Sequence, residues 1–151
     1  MTILKKLQEL SLELPEVSKP GGNYVSVNVR KDTVYVAIQF PIKNDNYLYQ
    51  GRLGGEISSQ QGYEAIRLCA LNVLAQVEYT IGFDNILGLN HIDAYYQSVK
   101  NWDDAPDVVN GASDLFVDVL GDKGVHTRAI LGVESLAKNF CVGLTTSFTL
   151  K

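Results

Sequence analysis

An excess of basic charge is what the 151-residue chain most clearly lacks. It has 13 lysines and arginines against 17 aspartates and glutamates, a net charge of −4 and a pI near 5.1. Proteins that bind nucleic acid or an anionic membrane surface depend on a positive field. The composition therefore predicts no nucleic-acid partner and no membrane partner, and it leaves room only for a local positive pocket.

Long apolar runs are also missing. No stretch approaches the roughly 18 uninterrupted apolar residues of a membrane span, and Lys5 and Lys6 interrupt the leucines at the N-terminus, so no signal peptide is predicted. The only cysteines, Cys69 and Cys141, lie in apolar patterns. We interpret both as buried thiols in a reducing compartment, and we expect a cytoplasmic protein whose residues 1–151 form one domain.

The sequence signatures of common catalytic sites are absent as well. The chain has two histidines, His91 and His126, and no cluster of Cys, His and Asp with metal-ligand spacing. It has no glycine loop of the Walker or dinucleotide-binding type and no GxSxG elbow. We therefore predict no metal and no other cofactor. The pair Asp103-Asp104 precedes a helix, where capping explains it better than acid–base catalysis, and Asp104 is the expected cap.

Apolar periodicity predicts two long helices behind a short N-terminal one. The three segments are residues 3–10, 58–82 and 104–121. Ser58 and Gln61 have the spacing of a capping box, which satisfies two free backbone donors at a helix start. Gly82 and Gly121 are the expected ends of the two long helices.

Extended patterns predict five strands, which with the long helices give the order β-β-α-β-α-β-β. The strands lie within residues 23–30, 33–41, 85–99, 124–133 and 139–150. Residues 42–56 are rich in asparagine and glycine and are predicted to form a long surface loop with a brief extended piece at residues 47–50. Two amphipathic helices must each bury an apolar face, so we expect an α+β fold in which both pack on one face of a mixed sheet.

The last predicted strand alternates between two kinds of side chain. One face carries mostly large apolar residues: Phe140, Val142, Leu144, Thr146, Phe148 and Leu150. The other face carries small or hydroxyl-bearing residues: Cys141, Gly143, Thr145, Ser147 and Thr149. A face that is neither charged nor strongly apolar often meets another subunit, so we expect this side of the sheet to take part in oligomerisation.

The stretch "GVHTRAILGV" places a full positive charge, Arg128, in the middle of an otherwise apolar strand. One interpretation is an arginine on a solvated sheet face. The other is an anion site, because the guanidinium group is a planar fork of donors that matches carboxylate or phosphate. The residues alone leave both interpretations open.

Three stretches together resemble the YjgF/RidA family, in the branch whose typical motifs are "RLCALNILAQ", "VINGASDL" and "HARSAIGVASLP". Here they read "YEAIRLCALNVLAQVEYTIG", "VVNGASDLFVDVLGDKG" and "HTRAILGVESLAKNFCVGLTTSFTL". The resemblance implies a domain like Bacillus chorismate mutase, a mixed sheet with two helices on one side. It also implies a homotrimer with a ligand cleft at each subunit interface.

The resemblance further implies which residues bind the ligand. The arginine that holds a ligand carboxylate in the family corresponds to Arg128, the cleft asparagine to Asn110 and the cleft tyrosine to Tyr24. The best known family activity hydrolyses 2-imino or enamine acids to 2-oxo acids and ammonia. The glutamate of the family's deaminases corresponds to Gly143, which cannot hold a water or accept a proton with a side chain. Glu134 or His126 could serve as a substitute base, but their positions in the predicted strand give no reason to choose either, so no catalytic residue is assigned.

Three hypotheses follow for the function. The first is a family member that binds a small carboxylate metabolite through Arg128, with or without imine deaminase activity. The second is a non-catalytic trimer that senses a metabolite or binds a protein. The third is an endoribonuclease or translation inhibitor, which the acidic composition disfavours. The sequence leaves open whether the chain is an enzyme.

Overall fold

A computed structural model describes residues 2–151 of the chain. The strands are β1 (Val27–Arg30), β2 (Thr33–Gln39), β3 (Ile42–Lys43), β4 (Asn46–Tyr47), β5 (Ile86–Tyr96), β6 (Thr127–Gly132) and β7 (Val142–Leu150). The helices are α1 (Ile3–Glu9), α2 (Ser59–Thr80) and α3 (Ala105–Leu120). No helix among residues 2–151 is long and apolar enough to cross a bilayer.

Five of the strands form one mixed sheet in the order β1-β2-β7-β5-β6. Strands β5 and β6 are parallel and are connected through α3, while the other neighbours are antiparallel. Both long helices cover the same face, α2 mainly over β2 and β7 and α3 beside it. The predicted order β-β-α-β-α-β-β and the α+β class are confirmed.

Helix α2 begins where the capping box predicts. The Ser58 hydroxyl accepts from the Gln61 backbone N–H at 3.1 Å, and the Gln61 side chain accepts from the Ser58 N–H at 2.9 Å. The helix ends before Gly82, which has a φ of 89° that a side chain would strain. Its buried face joins the core of the sheet.

Helix α3 packs against α2 at a glycine. A Cβ atom at Gly111 would overlap the Tyr63 carbonyl oxygen and would lie 2.9 Å from Ile66 Cγ2. The missing side chain therefore lets the two helices approach closely. The prediction that Asp104 caps α3 is wrong in one respect. Asp104 occupies the N-cap position, but its backbone is not extended and its side chain makes no hydrogen bond to the helix backbone. Its carboxylate instead accepts from the Ser59 hydroxyl at 2.7 Å.

The sheet face away from the helices carries the small and hydroxyl-bearing residues of β7. Thr145 and Ser147 lie there opposite Asp93 and His91 of β5. Cys141 does not share this face, contrary to the alternating pattern. It precedes β7 and is buried within the hydrophobic core, because alternation holds only where the chain is paired as a strand.

The prediction of a surface loop over residues 42–56 is wrong. Strands β3 and β4 form a small hairpin there, and Leu53 is fully buried. Leu53 pairs through its backbone with Gln97 and Val99 at 3.1 and 3.0 Å. The asparagine and glycine content indicated turns correctly, but it could not show that a buried leucine holds the segment against the end of β5.

Candidate functional site

Arg128 lies on β6, an edge strand of the sheet, and its side chain reaches α3. Its Nη1 donates to Asn110 Oδ1 at 2.8 Å and to Ser113 Oγ at 3.2 Å. Asn110 and Ser113 are three residues apart on the helix and therefore lie on one face. The structure thus brings together two of the three predicted ligand residues, Arg128 and Asn110.

His126 extends this network, although no role was assigned to it from the sequence. Its Nδ1 lies 2.6 Å from the Gly124 carbonyl oxygen and its Nε2 lies 2.9 Å from Ser113 Oγ. The carbonyl can only accept, so Nδ1 carries a hydrogen and the Nε2 lone pair faces the serine in the neutral ring. The signal for this arrangement was the i, i+2 spacing of His126, just before β6, and Arg128, on β6, combined with Ser113 one helical turn after Asn110.

Arg128 has no counterion among residues 2–151. The only contact of the salt-bridge type among residues 2–151 joins His91, which is charged only when protonated, to Asp93 on the opposite face of the sheet. The two hydrogen bonds to α3 use Nη1, and within the described chain Nε and Nη2 of Arg128 have no acceptor. A partly buried guanidinium group held by neutral partners, with donors left over, is suited to an anion.

Tyr24 lies far from Arg128 within one chain. It precedes β1, at the opposite edge of the sheet, is 54% exposed, and its hydroxyl accepts only from the Gly21 N–H at 3.2 Å. The sheet register passes from Arg128 through Ile92, Thr146 and Val36 to Val27. Four strand spacings separate the two edges by roughly 19 Å. No small ligand can contact both residues of the same chain.

The position assigned to the family glutamate is closed by apolar side chains. A Cβ atom at Gly143 would lie 2.8 Å from Ile38 Cδ1 and 2.9 Å from Phe40 Cε1. Phe40 is in turn stacked on Phe140, with ring centroids 5.0 Å apart. The site therefore differs from a deaminase site by more than a missing carboxylate, because the space beside Gly143 is occupied.

A second polar cluster lies on the open face of the sheet. His91 Nδ1 is 2.6 Å from Thr127 Oγ1, and His91 Nε2 is 2.9 Å from Asp93 Oδ1. The Thr145 hydroxyl donates to the same carboxylate at 3.4 Å. Within residues 2–151 no group of three Cys, His, Asp or Glu side chains is arranged to hold a metal ion.

Neither thiol belongs to a reactive site. Cys69 and Cys141 are both free and buried. Burial raises the pKa of Cys141 to about 12 and the pKa of Cys69 well above the ordinary value. A thiol rather than a thiolate is a poor nucleophile. The interpretation of both cysteines as buried thiols is confirmed.

A five-stranded mixed sheet with two long helices on one face defines an α+β protein of the chorismate mutase-like type. Residues 5–146 match the model of the YjgF/chorismate mutase-like family, whose members are provisionally named endoribonucleases. The match spans most of the chain, and the chain belongs to this family.

Individual relatives agree with this assignment. Protein TCP17 from Trypanosoma cruzi is 31% identical over 136 residues, which cover 89% of this chain and 85% of TCP17. A crystal structure from Shewanella oneidensis, provisionally named an endoribonuclease, is 29% identical to this chain. The match covers 99% of this chain and 100% of the Shewanella chain, and the two superimpose with a TM-score of 0.97. A protein of unknown function from Agrobacterium tumefaciens is 30% identical with a TM-score of 0.91, over 99% of this chain and 92% of its own.

Proposed function

We propose that the protein binds a small carboxylate metabolite, of the 2-oxo or 2-imino acid class, through Arg128 and Asn110. The observation that carries the proposal is the Arg128 guanidinium group, which is partly buried, lacks a carboxylate partner in the described chain and keeps Nε and Nη2 free. Nε and Nη2 are adjacent donors in one plane, which is the arrangement that binds a carboxylate with two hydrogen bonds.

Asn110 and Ser113 define the orientation of this fork. Both accept from Nη1, so the guanidinium plane is fixed from the α3 side and the free donors face outward. A side chain that is already ordered loses less conformational entropy when the ligand binds. Asn110 also has an amide NH₂ that makes no hydrogen bond within residues 2–151 and is available to a ligand oxygen.

The second half of the site comes from another copy of the chain. Tyr24 is exposed at the edge opposite Arg128, three residues before Val27, which the sheet register aligns with Arg128, so two copies placed edge to edge bring one copy's Tyr24 toward the other copy's Arg128. Repetition of this contact gives a closed ring, and a homotrimer is the assembly that we propose. The hydroxyl-bearing open face, with Thr145 and Ser147, then faces the ring's interior.

A non-catalytic, metabolite-sensing trimer is the second candidate. It is favoured by the packing of Ile38 and Phe40 over Gly143, which leaves no space for a carboxylate at the position of the family's glutamate. Both candidate functions require the same ligand, bound through Arg128 and Asn110. They differ only in whether the bound molecule is turned over.

Titration with pyruvate tests the proposal. We expect wild-type protein to bind pyruvate in isothermal titration calorimetry and Arg128→Ala to bind at least about 30-fold more weakly, because one charge-assisted hydrogen bond contributes about 2 kcal/mol. Arg67→Ala is the matched control, since Arg67 lies on α2 and makes no hydrogen bond within the described chain. Equal affinities of wild type and Arg128→Ala would contradict the proposal.

A further inference from the structure

We propose that His126 is a positioning residue for the carboxylate site, which it joins through Ser113, and that its protonation increases the affinity of Arg128 for a carboxylate. The inference rests on the proposed function, because it assigns a pH dependence to that same site. It requires no contact between His126 and the ligand, since the effect acts through the hydrogen bonds at Ser113 and through the charge of the ring.

With a neutral His126, one chain of hydrogen bonds runs from Arg128 to the backbone. Arg128 Nη1 donates to Ser113 Oγ at 3.2 Å, and the Ser113 hydroxyl donates to His126 Nε2 at 2.9 Å. His126 Nδ1 then donates to the Gly124 carbonyl oxygen at 2.6 Å. The carbonyl can only accept, so it selects the tautomer with hydrogen on Nδ1. All three bonds point the same way, an arrangement in which each bond polarises the next.

The surroundings of His126 hold its ring in one orientation. The ring is half-buried and meets the buried Phe116 ring edge to face, with centroids 6.1 Å apart and an interplanar angle of 77°. The bond to the Gly124 carbonyl oxygen fixes the opposite nitrogen. Nε2 therefore stays directed at Ser113 Oγ whether or not it carries a hydrogen.

Protonation changes the chain of hydrogen bonds at Ser113. Nε2 then donates to Ser113 Oγ, so the hydroxyl turns its own hydrogen away and its oxygen accepts from two cations. The 2.9 and 3.2 Å contacts hold Nε2 of His126 within about 6 Å of Nη1 of Arg128. Within residues 2–151 no carboxylate pairs with either cation.

The acidic residues of α3 do not face this pair of cations. Asp107, Asp114 and Asp118 lie roughly 100–140° around the helix from Ser113. Asp114 is also engaged elsewhere, because its carboxylate accepts from the Tyr63 hydroxyl of α2 at 2.8 Å. The helix that carries Ser113 therefore supplies no counterion to His126.

The other elements beside His126 supply no counterion either. In the turn before it, Asp122 and Lys123 line a pocket against α1, and neither side chain is bonded to His126. On β5, His91 and Asp93 flank the residue that pairs with Arg128 and so lie on the opposite face of the sheet. Arg128 is thus the charged group to which His126 is connected.

A bound carboxylate reverses the balance of charge at this site. Its negative charge, beside Nε and Nη2 of Arg128, attracts the second cation as well, so the protonated site binds an anion more tightly. By linkage, binding of the anion is then accompanied by uptake of a proton. The added affinity is complete where His126 is protonated, and it is lost as the pH rises through the range of about 5–8 in which histidine titrates. Attraction across roughly 10 Å near a protein surface corresponds to about a 5-fold change in affinity.

Pyruvate titration at two pH values tests the inference, because the pyruvate carboxyl group stays ionised throughout this range. We expect wild-type protein to bind pyruvate about 5-fold more tightly at about pH 5.5 than at about pH 8. His126→Gln keeps an acceptor for the Ser113 hydroxyl but does not titrate, so its affinity is expected to be independent of pH. His91→Gln is the matched control, since His91 is the only other histidine of the sequence, and it should retain the pH dependence of wild type.

A second measurement uses wild-type protein alone and does not depend on any variant folding. Calorimetry near pH 6.5 in buffers of different ionisation enthalpy is expected to show net proton uptake when pyruvate binds. NMR is expected to show, in the same solution, that the imidazole ring of His126 becomes more protonated as pyruvate is added.

Pyruvate binding with no pH dependence and no proton uptake in wild type would overturn the inference and leave the carboxylate site intact. The same pH dependence in His126→Gln as in wild type would assign it to another group and would also overturn the inference. A merely structural His126 would lower affinity in His126→Gln equally at both pH values, with wild type independent of pH. Absence of pyruvate binding at either pH would remove the proposed function together with the inference.

Discussion

Gly111→Ala is the substitution that most directly tests how the fold positions the site. The added methyl group would overlap the Tyr63 carbonyl oxygen, lie 3.0 Å from the Tyr63 carbonyl carbon and lie 2.9 Å from Ile66 Cγ2, whereas ordinary contacts begin at 3.4 Å. A backbone carbonyl inside α2 cannot rotate away. The helices must therefore separate by roughly 1 Å, which unpacks their contact.

The expected cost follows from two opposing effects. Overpacking of a core costs about 1–3 kcal/mol and more where backbone must move, while alanine is favoured over glycine inside a helix by about 1 kcal/mol. Because the clash is with backbone, we expect a net loss of about 2 kcal/mol, or a Tm lower by roughly 4–8 °C for a chain of this size. Differential scanning fluorimetry or urea unfolding measures it.

The same displacement reaches the site, since Asn110 precedes Gly111 and Ser113 follows within one turn. Their 2.8 and 3.2 Å bonds to Arg128 do not survive a 1 Å shift of α3 unchanged. We expect weaker pyruvate binding along with lower stability. Gly21→Ala is the control, because nothing lies within 4 Å of its Cβ position. A Gly111→Ala protein as stable as the wild type would refute the account of the helix contact.

Three further predictions concern other parts of the chain. The Thr146 hydroxyl is buried and has no partner within residues 2–151, so Thr146→Val is expected to raise the free energy of unfolding by about 1 kcal/mol; a loss in urea unfolding would indicate a bridging water. With a pKa of about 12, roughly one Cys141 thiol in ten thousand is ionised at pH 8. Both Cys69 and Cys141 should therefore resist a thiol reagent until the protein unfolds, and fast labelling of the native state would contradict this. RNA binding should be undetectable at moderate salt, and a steep salt-dependent affinity would revive the endoribonuclease hypothesis.

The order of elements was predictable because each element has a strong local signal. The capping box at Ser58 marks the start of α2 directly, and Gly121 marks the end of α3. Apolar periodicity separates helices from strands over segments of this length. The strand β6 was predicted too long, at residues 124–133, because a short helical turn over Gly121–Gly124 delays it until Thr127.

The errors arose where tertiary contacts overrule composition. Residues 42–56 read as a solvated loop, yet buried Leu53 fastens them beside β5. Cys141 continued an alternating pattern by spacing, yet it precedes the paired part of β7 and lies in the core. Neither outcome has a local signal, since each depends on which distant strand the segment meets.

The site was predictable only in part, for a related reason. Arg128 and Asn110 were named from the family resemblance, and the structure joins them at 2.8 Å. Ser113 was not identified, because a serine on a helix carries no signal alone, and His126 was considered as a substitute base but not assigned. The two residues belong together only through the 2.9 Å contact between Ser113 Oγ and His126 Nε2. That contact depends on how α3 packs beside β6, which the sequence does not show locally.

The position of Tyr24 gives the strongest reason to regard one chain as an incomplete functional unit. The three expected ligand residues are divided between the edges of the sheet: Arg128 on β6, with Asn110 beside it, and Tyr24 before β1, separated by the whole width of the sheet. A monomer would expose an unpaired guanidinium group at one edge and a tyrosine at the other. Mixing Arg128→Ala chains with Tyr24→Phe chains should therefore restore some intact clefts, each built from the unaltered edges of two neighbours. Recovery of pyruvate affinity in the mixture, absent from either variant alone, is the expected result, and no recovery after verified exchange of subunits would show that Tyr24 does not belong to the ligand site.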